Sequence, residues 1–351
     1  MNNILIGMSG GVDSAVAAML LRSDFNVKAV HLILWRCNEN LNSESCCNLQ
    51  SSIDAGNVAK HLGIGFQVVN AQKRFMEQTV KPMVEAYKAG LTPNACCICN
   101  PTTKIDAMYD AVNNDRSYHL ATGHYANTVE WAGTHYIARA KNLEKDQSYF
   151  LYRLSQDLIS KIHFPLGKFE TKEEIRIQAE QAGIHIARKP DSTDLCMLPN
   201  GGIKAFLMDF VGLMSKPGPI LYNGKEIGTH NGIWGKTKGQ RRGFGLSGTT
   251  DIMFISRVDI DSNTIHVDKW SEILDCTFQI KDVVWHGSQW FDGQLVMMQT
   301  RYHAKPVHAK LFSTADGIRV ETAQPVLATP GQHAVFYNEA NHVCFGGGII
   351  I

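Results

Sequence analysis

A glycine- and serine-rich string near the start of the chain constrains the fold more than any other feature. The string Ser9-Gly10-Gly11-Val12-Asp13-Ser14 follows an apolar run, residues 3–8, and overlaps an alanine- and leucine-rich segment, residues 12–21. The run predicts a buried strand and the segment predicts a helix. Glycines let a backbone approach phosphate closely, and a helix N-terminus presents free N–H groups to an anion. We therefore predict a nucleotide phosphate site between this strand and this helix.

The predicted nucleotide contacts are Gly7, Met8, Ser9, Gly10, Gly11, Val12, Asp13 and Ser14. The serine hydroxyls add hydrogen-bond donors, and the Asp13 carboxylate can hold Mg²⁺ against the phosphates. The loop is not a Walker A loop, because no Gly-Lys-Ser or Gly-Lys-Thr follows it. An ordinary glycine-rich turn between a strand and a helix is the structural alternative.

Strand-like and helix-like segments alternate through the first 200 residues. Residues 27–35, 65–69 and 118–122 predict further buried strands, and apolar residues at three- and four-residue steps predict a helix over residues 52–62. Such alternation is typical of an α/β domain with a mostly parallel sheet and helices on both faces.

The pattern changes after about residue 200. Glycine and proline there separate short β-branched segments, at residues 265–267, 283–285, 295–298 and 335–337. This part predicts two small β-rich modules. The predicted domains are therefore residues 1–205, 206–272 and 273–351.

Composition limits the classes of function. Lys plus Arg number 34 and Asp plus Glu number 33, so the formal net charge is +1. This excludes a polycation that coats nucleic acid by bulk charge, although it allows a local basic face. No signal peptide and no apolar run of about 18 residues is present, so we expect a cytoplasmic protein without a membrane partner. In a reducing compartment the nine cysteines are metal-binding, catalytic or buried rather than paired.

Several further strings accompany the phosphate loop. They are Thr122-Gly123-His124-Tyr125-Ala126, Lys145-Asp146-Gln147-Ser148-Tyr149-Phe150-Leu151, Asp191-Ser192-Thr193 with Leu195-Cys196, Gly239-Gln240-Arg241-Arg242-Gly243, and Thr329-Pro330-Gly331-Gln332 with Gly346-Gly347-Gly348-Ile349-Ile350. The phosphate loop resembles that of the PP-loop ATP pyrophosphatases, and the whole ordered set resembles the tRNA-specific 2-thiouridylase family. The resemblance covers essentially the whole chain. It implies a Rossmann-like PP-loop domain, two β-rich modules of which the last is a β-barrel, and the use of ATP and Mg²⁺.

Two cysteines match motifs of that family. The string Thr92-Pro93-Asn94-Ala95-Cys96-Cys97-Ile98-Cys99-Asn100 resembles its catalytic loop. By resemblance Cys99 is a nucleophile and Cys196 carries a persulfide, chemistry for which thiolates are suited. Ala95 replaces the usual proline and Cys96 stands where many members carry aspartate. With Cys99 and Cys196, Cys96 would supply three thiols for an iron–sulfur cluster. Burial as small apolar residues is the alternative, and we favour it for Cys37, Cys46, Cys47, Cys97, Cys276 and Cys344.

Other contacts are implied by the resemblance alone. Leu32 and Gly123 would contact the nucleotide, although Leu32 by pattern is simply a core residue. The implied tRNA contacts are Asn94, Ala95, Cys96, His124, Lys145, Asp146, Gln147, Arg301, Tyr302 and Gln332. A loop histidine, a solvated charged turn at residues 145–147 and a solvent-facing pair at residues 301–302 are the plainer interpretations.

The resemblance implies ATP-dependent 2-thiolation of the wobble uridine of tRNA. The uridine C2 oxygen would be adenylated, and sulfur would follow through Cys99 and Cys196 or from a cluster. The partners would be tRNA, not DNA, and a sulfur donor, either a persulfide-carrying protein or sulfide. Two alternatives remain open, namely a PP-loop enzyme that amidates a small molecule and a non-catalytic iron–sulfur or RNA-binding relative.

Overall fold

A computed structural model describes residues 1–35, 49–190, 196–198, 202–246, 251–287 and 290–351. Cys37, Cys46, Cys47 and residues 191–195 of one family string lie outside these ranges. Among the described residues, no helix has the length and apolar character needed to cross a bilayer.

The first domain is built on a five-stranded parallel sheet in the order β3-β2-β1-β4-β7. Its elements in chain order are β1 (Asn2–Gly7), α1 (Val12–Leu21), β2 (Phe25–Ile33), α2 (Leu49–His61), β3 (Gly65–Asn70), α3 (Gln72–Phe75), α4 (Lys81–Lys88), α5 (Ala95–Cys99), α6 (Ile105–Asp110), β4 (His119–Thr122), β5 (Asn127–Trp131), β6 (Thr134–Ala138), α7 (Gln156–Ile159), β7 (Ile162–His163), α8 (Lys172–Gln181) and α9 (Gly202–Ala205). Single π-helical turns lie at Met76–Val80, Asn100–Lys104 and Phe206–Phe210.

Strand β1 is buried on both faces, which explains its apolar sequence. Ile4 and Ile6 point to the core formed with α1, α2 and α8, whereas Leu5 points to the opposite core beside α6. All three side chains are fully buried. This alternation follows from the two-residue period of a strand, and it places helices on both faces of the sheet as the sequence predicts.

The strand order reverses at β1. The chain adds β2 and β3 on one side of β1 and β4 and β7 on the other, so the carboxyl ends of β1 and β4 lie side by side. Such a reversal opens a crevice at the carboxyl edge of a parallel sheet, where α/β proteins place their ligands.

Besides the two-stranded sheet of β5 and β6, the described residues form two larger β-structures that occupy separate stretches of sequence. One has four strands in the order β10-β11-β8-β9, and the other closes as a barrel in the order β12-β15-β14-β13-β16-β17. Their strands are β8 (Gly218–Tyr222), β9 (Lys225–His230), β10 (Phe254–Asp259), β11 (Thr264–Asp268), β12 (Asp275–Trp285), β13 (Gln294–Gln299), β14 (Val307–Thr314), β15 (Gly317–Val326), β16 (His333–Tyr337) and β17 (Cys344–Ile350). The predicted fold class is confirmed, while the predicted domain boundaries stay predictions.

The barrel shares a core with the first domain. Tyr149 and Tyr152 pack in one buried cluster with Val335, Tyr337 and Cys344 of β16 and β17. A backbone bridge also joins the end of β6 to the residue before β17. Because this core is continuous, the barrel is held firmly against the domain that carries the phosphate loop.

A buried ion pair of the first domain lies at the same interface. Arg139 Nη1 donates to Asp146 Oδ2 at 2.7 Å, and both side chains are almost fully buried. Arg139 Nη2 donates to Gln299 Oε1 at 2.7 Å, and its guanidinium lies 3.7 Å from the ring centroid of Tyr337. The ion pair therefore ties the segment between β6 and α7 to the barrel.

Candidate nucleotide and thiol site

A cavity of about 300 Å³ opens at the carboxyl edge of β1 and β4. Its walls are Gly7, Met8, Ser9, Asp13, Ser14, Val30, His31, Leu32, Leu34, Lys104, Met108, Thr122, Gly123, His124, Gln147 and Cys196. Most of the predicted nucleotide contacts thus meet at one place. Gly10, Gly11 and Val12 shape the turn but do not contribute to the lining.

The phosphate loop is held in shape by its own serines. Ser14 Oγ accepts from Ser9 N at 3.2 Å and donates to Gly11 O at 3.0 Å. Gly11 precedes α1 without any side-chain cap, so the first N–H groups of the helix are not capped by a side chain. Uncapped N–H groups at a helix N-terminus provide donors for a phosphate.

Two positions require glycine because neighbouring backbone atoms lie too close to leave room for a Cβ atom. Gly10 has φ of +81°, and a Cβ there would lie 2.3 Å from Ser51 O. A Cβ on Gly123 would lie 2.8 Å from Ser14 N. Gly123 thus lets the end of β4 pack directly against the phosphate loop, a role additional to the predicted nucleotide contact.

Two lysines that the sequence analysis did not select reach this loop. Lys172 Nζ donates to Asp13 Oδ1 at 2.5 Å, and Tyr125 OH donates to the same oxygen at 2.7 Å. Lys189 Nζ donates to Gly10 O at 3.0 Å and to the buried Asp54 carboxylate at 2.7 Å. The sequence around Lys172 predicts a helix start, because Thr171 and Glu174 form a capping box, but it does not reveal what the lysine contacts.

The other wall of the cavity is apolar. Leu32 and Val30 of β2 face it together with Met108 of α6. His31 Nδ1 lies 2.8 Å from Met8 O, and burial lowers the pKa of His31. The neutral imidazole therefore supports the end of β1, a role that was not predicted.

His124 lies in the cavity as a neutral group. Its Nδ1 is 2.7 Å from Thr122 Oγ1. Burial lowers the pKa of His124 to about 3, and the nearby Lys104 ammonium adds to the shift. His124 can therefore exchange hydrogen bonds with a ligand but supplies no positive charge near neutral pH.

The cysteine loop begins helix α5. Asn94 caps this helix, because its Oδ1 accepts from the backbone N–H groups of Cys96 at 3.2 Å and Cys97 at 3.4 Å. Cys99 is buried and packs in one apolar cluster with the half-buried Cys196. Since Cys196 also lines the cavity, the two thiols and the phosphate loop lie in one region of the fold.

The neighbouring cysteines differ in environment. Cys97 lies in the opposite core, and burial raises its pKa well above that of an ordinary thiol. This agrees with the prediction that Cys97 is a packing residue. Burial also raises the pKa of Cys96, and the Lys104 ammonium opposes the shift.

The three thiols proposed for a cluster do not form a ligand set. Over the described ranges, which include Cys96, Cys99 and Cys196, no three His, Cys, Asp or Glu side chains are close enough to hold one metal ion. The i, i+3 spacing of Cys96 and Cys99 suggested a common site, but the third thiol is placed by tertiary packing. The arrangement therefore does not fit the iron–sulfur hypothesis, and no step is assigned to a cluster.

Three family models match consecutive parts of the chain. They describe a tRNA methyl transferase HUP domain over residues 2–200, a tRNA methyl transferase PRC-barrel domain over residues 204–269 and an aminomethyltransferase beta-barrel domain over residues 276–350. A Leptospira biflexa protein named tRNA-specific 2-thiouridylase MnmA is 35% identical over 356 residues, which cover 99% of this chain and 93% of that protein. A Chloroflexus aurantiacus protein of the same name is 36% identical over 357 residues, 100% of this chain and 98% of the relative.

The chain belongs to the tRNA-specific 2-thiouridylase family. The residues that the family resemblance assigns to tRNA contact differ in their exposure. Lys145 and Arg301 are exposed, whereas Ala95 is buried and Tyr302 packs 4.3 Å from the ring of Phe150.

Asp146 is the assigned contact that the structure corrects. It is 4% exposed, and besides Arg139 its carboxylate accepts from Ala140 N at 2.9 Å and Ser148 Oγ at 2.8 Å. A carboxylate with these partners has little surface open to RNA, so the Asp146 side chain holds the loop in place. The motif at residues 145–147 identifies an aspartate but gives no information on whether its side chain is exposed.

Two glutamines link parts of the family site. Gln147 Oε1 accepts from Tyr125 N at 3.0 Å, and the side chain lines the cavity. Gln332 Nε2 donates to Thr92 O at 2.7 Å, while Thr92 N donates to Pro330 O at 2.9 Å. The barrel therefore holds the start of the cysteine loop directly.

Proposed function

We propose that the protein 2-thiolates the wobble uridine of tRNA in an ATP-dependent reaction. One observation carries the proposal, namely that Cys196 lines the same cavity as Ser9, Asp13 and Ser14. A phosphate loop alone would suit any nucleotide-binding enzyme. A thiol beside it supports a reaction that joins adenylation to sulfur transfer.

The first step is adenylation of the base. The uridine C2 oxygen attacks the α-phosphorus of ATP, and the bond to the departing pyrophosphate breaks. The N-terminus of α1 and the Ser9 and Ser14 hydroxyls are suited to hold the phosphates. Asp13 and these phosphates together match the ligands that Mg²⁺ prefers, and the ion would offset the charge of the leaving group.

The second step is sulfur transfer. The outer sulfur of a persulfide on Cys196 bonds to C2, and AMP leaves. Cys99 thiolate then attacks the inner sulfur, the S–S bond to the base breaks, and 2-thiouridine departs while a Cys99–Cys196 disulfide remains. A thiol reductant reduces this disulfide, and a persulfide-carrying protein then transfers sulfane sulfur to the Cys196 thiol. Alternatively, sulfide attacks the disulfide at Cys196, which forms the Cys196 persulfide and releases the Cys99 thiol. The common apolar cluster of Cys99 and Cys196 supports this pairing.

The RNA must present its base to this cavity. A base inside an anticodon stack cannot reach the cavity, so the uridine has to turn outwards. Lys145 and Arg301, both exposed, are suited to contact RNA phosphates, and Tyr302 offers an aromatic face. We also assign Asn94, Cys96, His124, Gln147 and Gln332 to the surroundings of the base, with direct or backbone-mediated roles.

The decisive experiment is reconstitution. The protein is incubated with ATP, Mg²⁺, unmodified tRNA and a sulfide or persulfide source, and the nucleosides are analysed by mass spectrometry. We expect 2-thiouridine with the parent protein, none with Cys99→Ser or Cys196→Ser, and parental yield with Cys276→Ser, an exposed cysteine of the barrel.

Pyrophosphate release separates the two steps. Cys99→Ser and Cys196→Ser should still release pyrophosphate in the presence of tRNA, because adenylation does not use a thiol. The absence of 2-thiouridine from every reaction would refute the proposal. Full turnover of another substrate by both serine variants would instead indicate a small-molecule amidating enzyme.

A further inference from the structure

Lys172 contacts the phosphate loop, but the reaction steps proposed above assign it no role. It is the first residue of α8, and its ammonium reaches across to the first turn of α1. The Lys172 side chain is 14% exposed and the Asp13 side chain 30% exposed. The pair is therefore only partly accessible to solvent, and its Asp13 member lines the cavity.

The Asp13 carboxylate is held by two donors on one oxygen. Lys172 Nζ and Tyr125 OH both contact Oδ1, at 2.5 Å and 2.7 Å. The same ammonium lies 5.8 Å from the centroid of the Tyr125 ring. The Lys172 ammonium thus lies against the one carboxylate of the phosphate loop, a negative charge that would otherwise repel a triphosphate.

A lysine is suited to change partners at this point. Its ammonium is a compact charge on a flexible four-carbon stem, and it binds phosphate as a point charge. Mg²⁺ is bound in proteins by one or two carboxylates together with substrate phosphates. When both ligands arrive, the carboxylate and the ammonium therefore have better partners than each other.

Lys189 provides a contrast at the same loop. It donates to a backbone oxygen, Gly10 O, and to the buried Asp54 carboxylate, which Gln50 also contacts. Neither acceptor lines the cavity. Lys189 thus fixes the turn, whereas the acceptor of Lys172 belongs to the site itself.

We propose that Lys172 is a phosphate-binding residue that exchanges partners during the reaction. It neutralises Asp13 before nucleotide binds, then leaves Asp13 to Mg²⁺ and pairs with the β- and γ-phosphate oxygens that depart as pyrophosphate. The inference rests on the proposed use of ATP but does not depend on the nature of the acceptor.

Equilibrium binding of nucleotides tests this without any turnover. ATP and AMP are titrated, in Mg²⁺, into the full chain carrying Lys172→Met, Lys172→Arg or Lys168→Met. Lys168 is an exposed lysine four residues earlier and serves as the matched control. Lys172→Met removes the hydrogen bonds that the ammonium would donate to the phosphates. Because hydrogen bonds to charged groups are strong, we expect ATP affinity to fall by about 10- to 100-fold. AMP affinity should stay unchanged, Lys172→Arg should retain most ATP affinity, and Lys168→Met should bind like the parent.

Repeating the titration with Lys172→Met in the Asp13→Asn variant distinguishes an exchange of partners by Lys172 from a static salt bridge to Asp13. If Lys172 only holds Asp13, Lys172→Met adds no loss once the carboxylate is gone. If Lys172 binds phosphate, Lys172→Met weakens ATP binding again, by about 10-fold or more. Circular dichroism of each variant, compared with the parent, checks that the secondary-structure content of the chain is unchanged.

The outcomes are distinct from those of the function test. Unchanged ATP affinity in Lys172→Met, an equal loss for AMP, or no added loss in the Asp13→Asn background would each overturn the exchange. Failure of the parent protein to bind ATP would instead refute the proposed function.

Discussion

The buried ion pair between Arg139 and Asp146 predicts a large loss of stability when one charge is removed. Asp146→Asn keeps the shape of the side chain but leaves the Arg139 guanidinium, itself 5% exposed, without its counter-charge. Removing one partner of a buried pair costs about 3–5 kcal/mol, because the remaining charge is uncompensated. Asp157→Asn, the same chemical change at an exposed position, should stay within about 0.5 kcal/mol of the parent.

Urea unfolding followed by tryptophan fluorescence and circular dichroism measures this difference. The variant should lose the docked barrel at lower urea, since Arg139 also donates to Gln299 and Asn341 on the barrel side. The double variant Arg139→Met/Asp146→Asn should recover part of the loss, because an apolar side chain replaces the unpaired charge. A free energy of unfolding for Asp146→Asn within about 0.5 kcal/mol of the parent value would refute this reasoning. Weaker RNA binding at unchanged stability would restore Asp146 as an RNA contact.

Two further predictions concern the phosphate loop and pH. Gly10→Ala should abolish measurable ATP binding, because its Cβ would lie 2.3 Å from Ser51 O. Gly63→Ala is the control and should bind ATP normally, because a Cβ there meets nothing within 4 Å. Isothermal titration calorimetry of both variants measures the difference. Burial lowers the pKa of His333 to about 3, so the unfolded chain takes up a proton there as pH falls below about 6.5 while the folded chain does not. His333 should therefore cost about 1.4 kcal/mol of stability between pH 7.5 and 5.5, and His333→Asn should flatten the pH dependence of urea unfolding by that amount. Equal slopes in the two proteins would contradict the assignment.

Local patterns explain which parts of the fold were predictable. The helix predicted over residues 12–21 is α1 (Val12–Leu21), and the strand predicted over residues 65–69 is β3 (Gly65–Asn70). The first segment is rich in alanine and leucine and the second is a short run of apolar residues, so each segment carries its signal in its own sequence. The strand predicted over residues 27–35 instead ends at Ile33, because Leu34 and Trp35 leave the sheet to pack in the cluster around Cys99.

Site residues were predictable where each lies in a recognisable string, as Gly123 and Cys196 do, but contacts between distant parts of the chain were not. Lys172 and Lys189 are 159 and 179 residues from their acceptors in the phosphate loop, and no local pattern connects groups so far apart. The burial of Asp146 likewise depends on Arg139 and on barrel residues that a motif does not contain. The three-thiol hypothesis finds no ligand set among the described residues for the same reason, since helical spacing places Cys96 and Cys99 but not Cys196.

The shared core of the first domain and the barrel has a consequence for synthesis. Domains made on a ribosome generally fold in order from the N-terminal side. Tyr149 and Tyr152, however, are covered by Val335, Tyr337 and Cys344, which are translated almost two hundred residues later in the printed sequence. Until β16 and β17 have emerged, the nascent first domain exposes an aromatic surface and a guanidinium without its barrel partners. The nascent chain should therefore bind chaperones at this surface, and an early stop codon should yield an aggregating fragment rather than a smaller working enzyme.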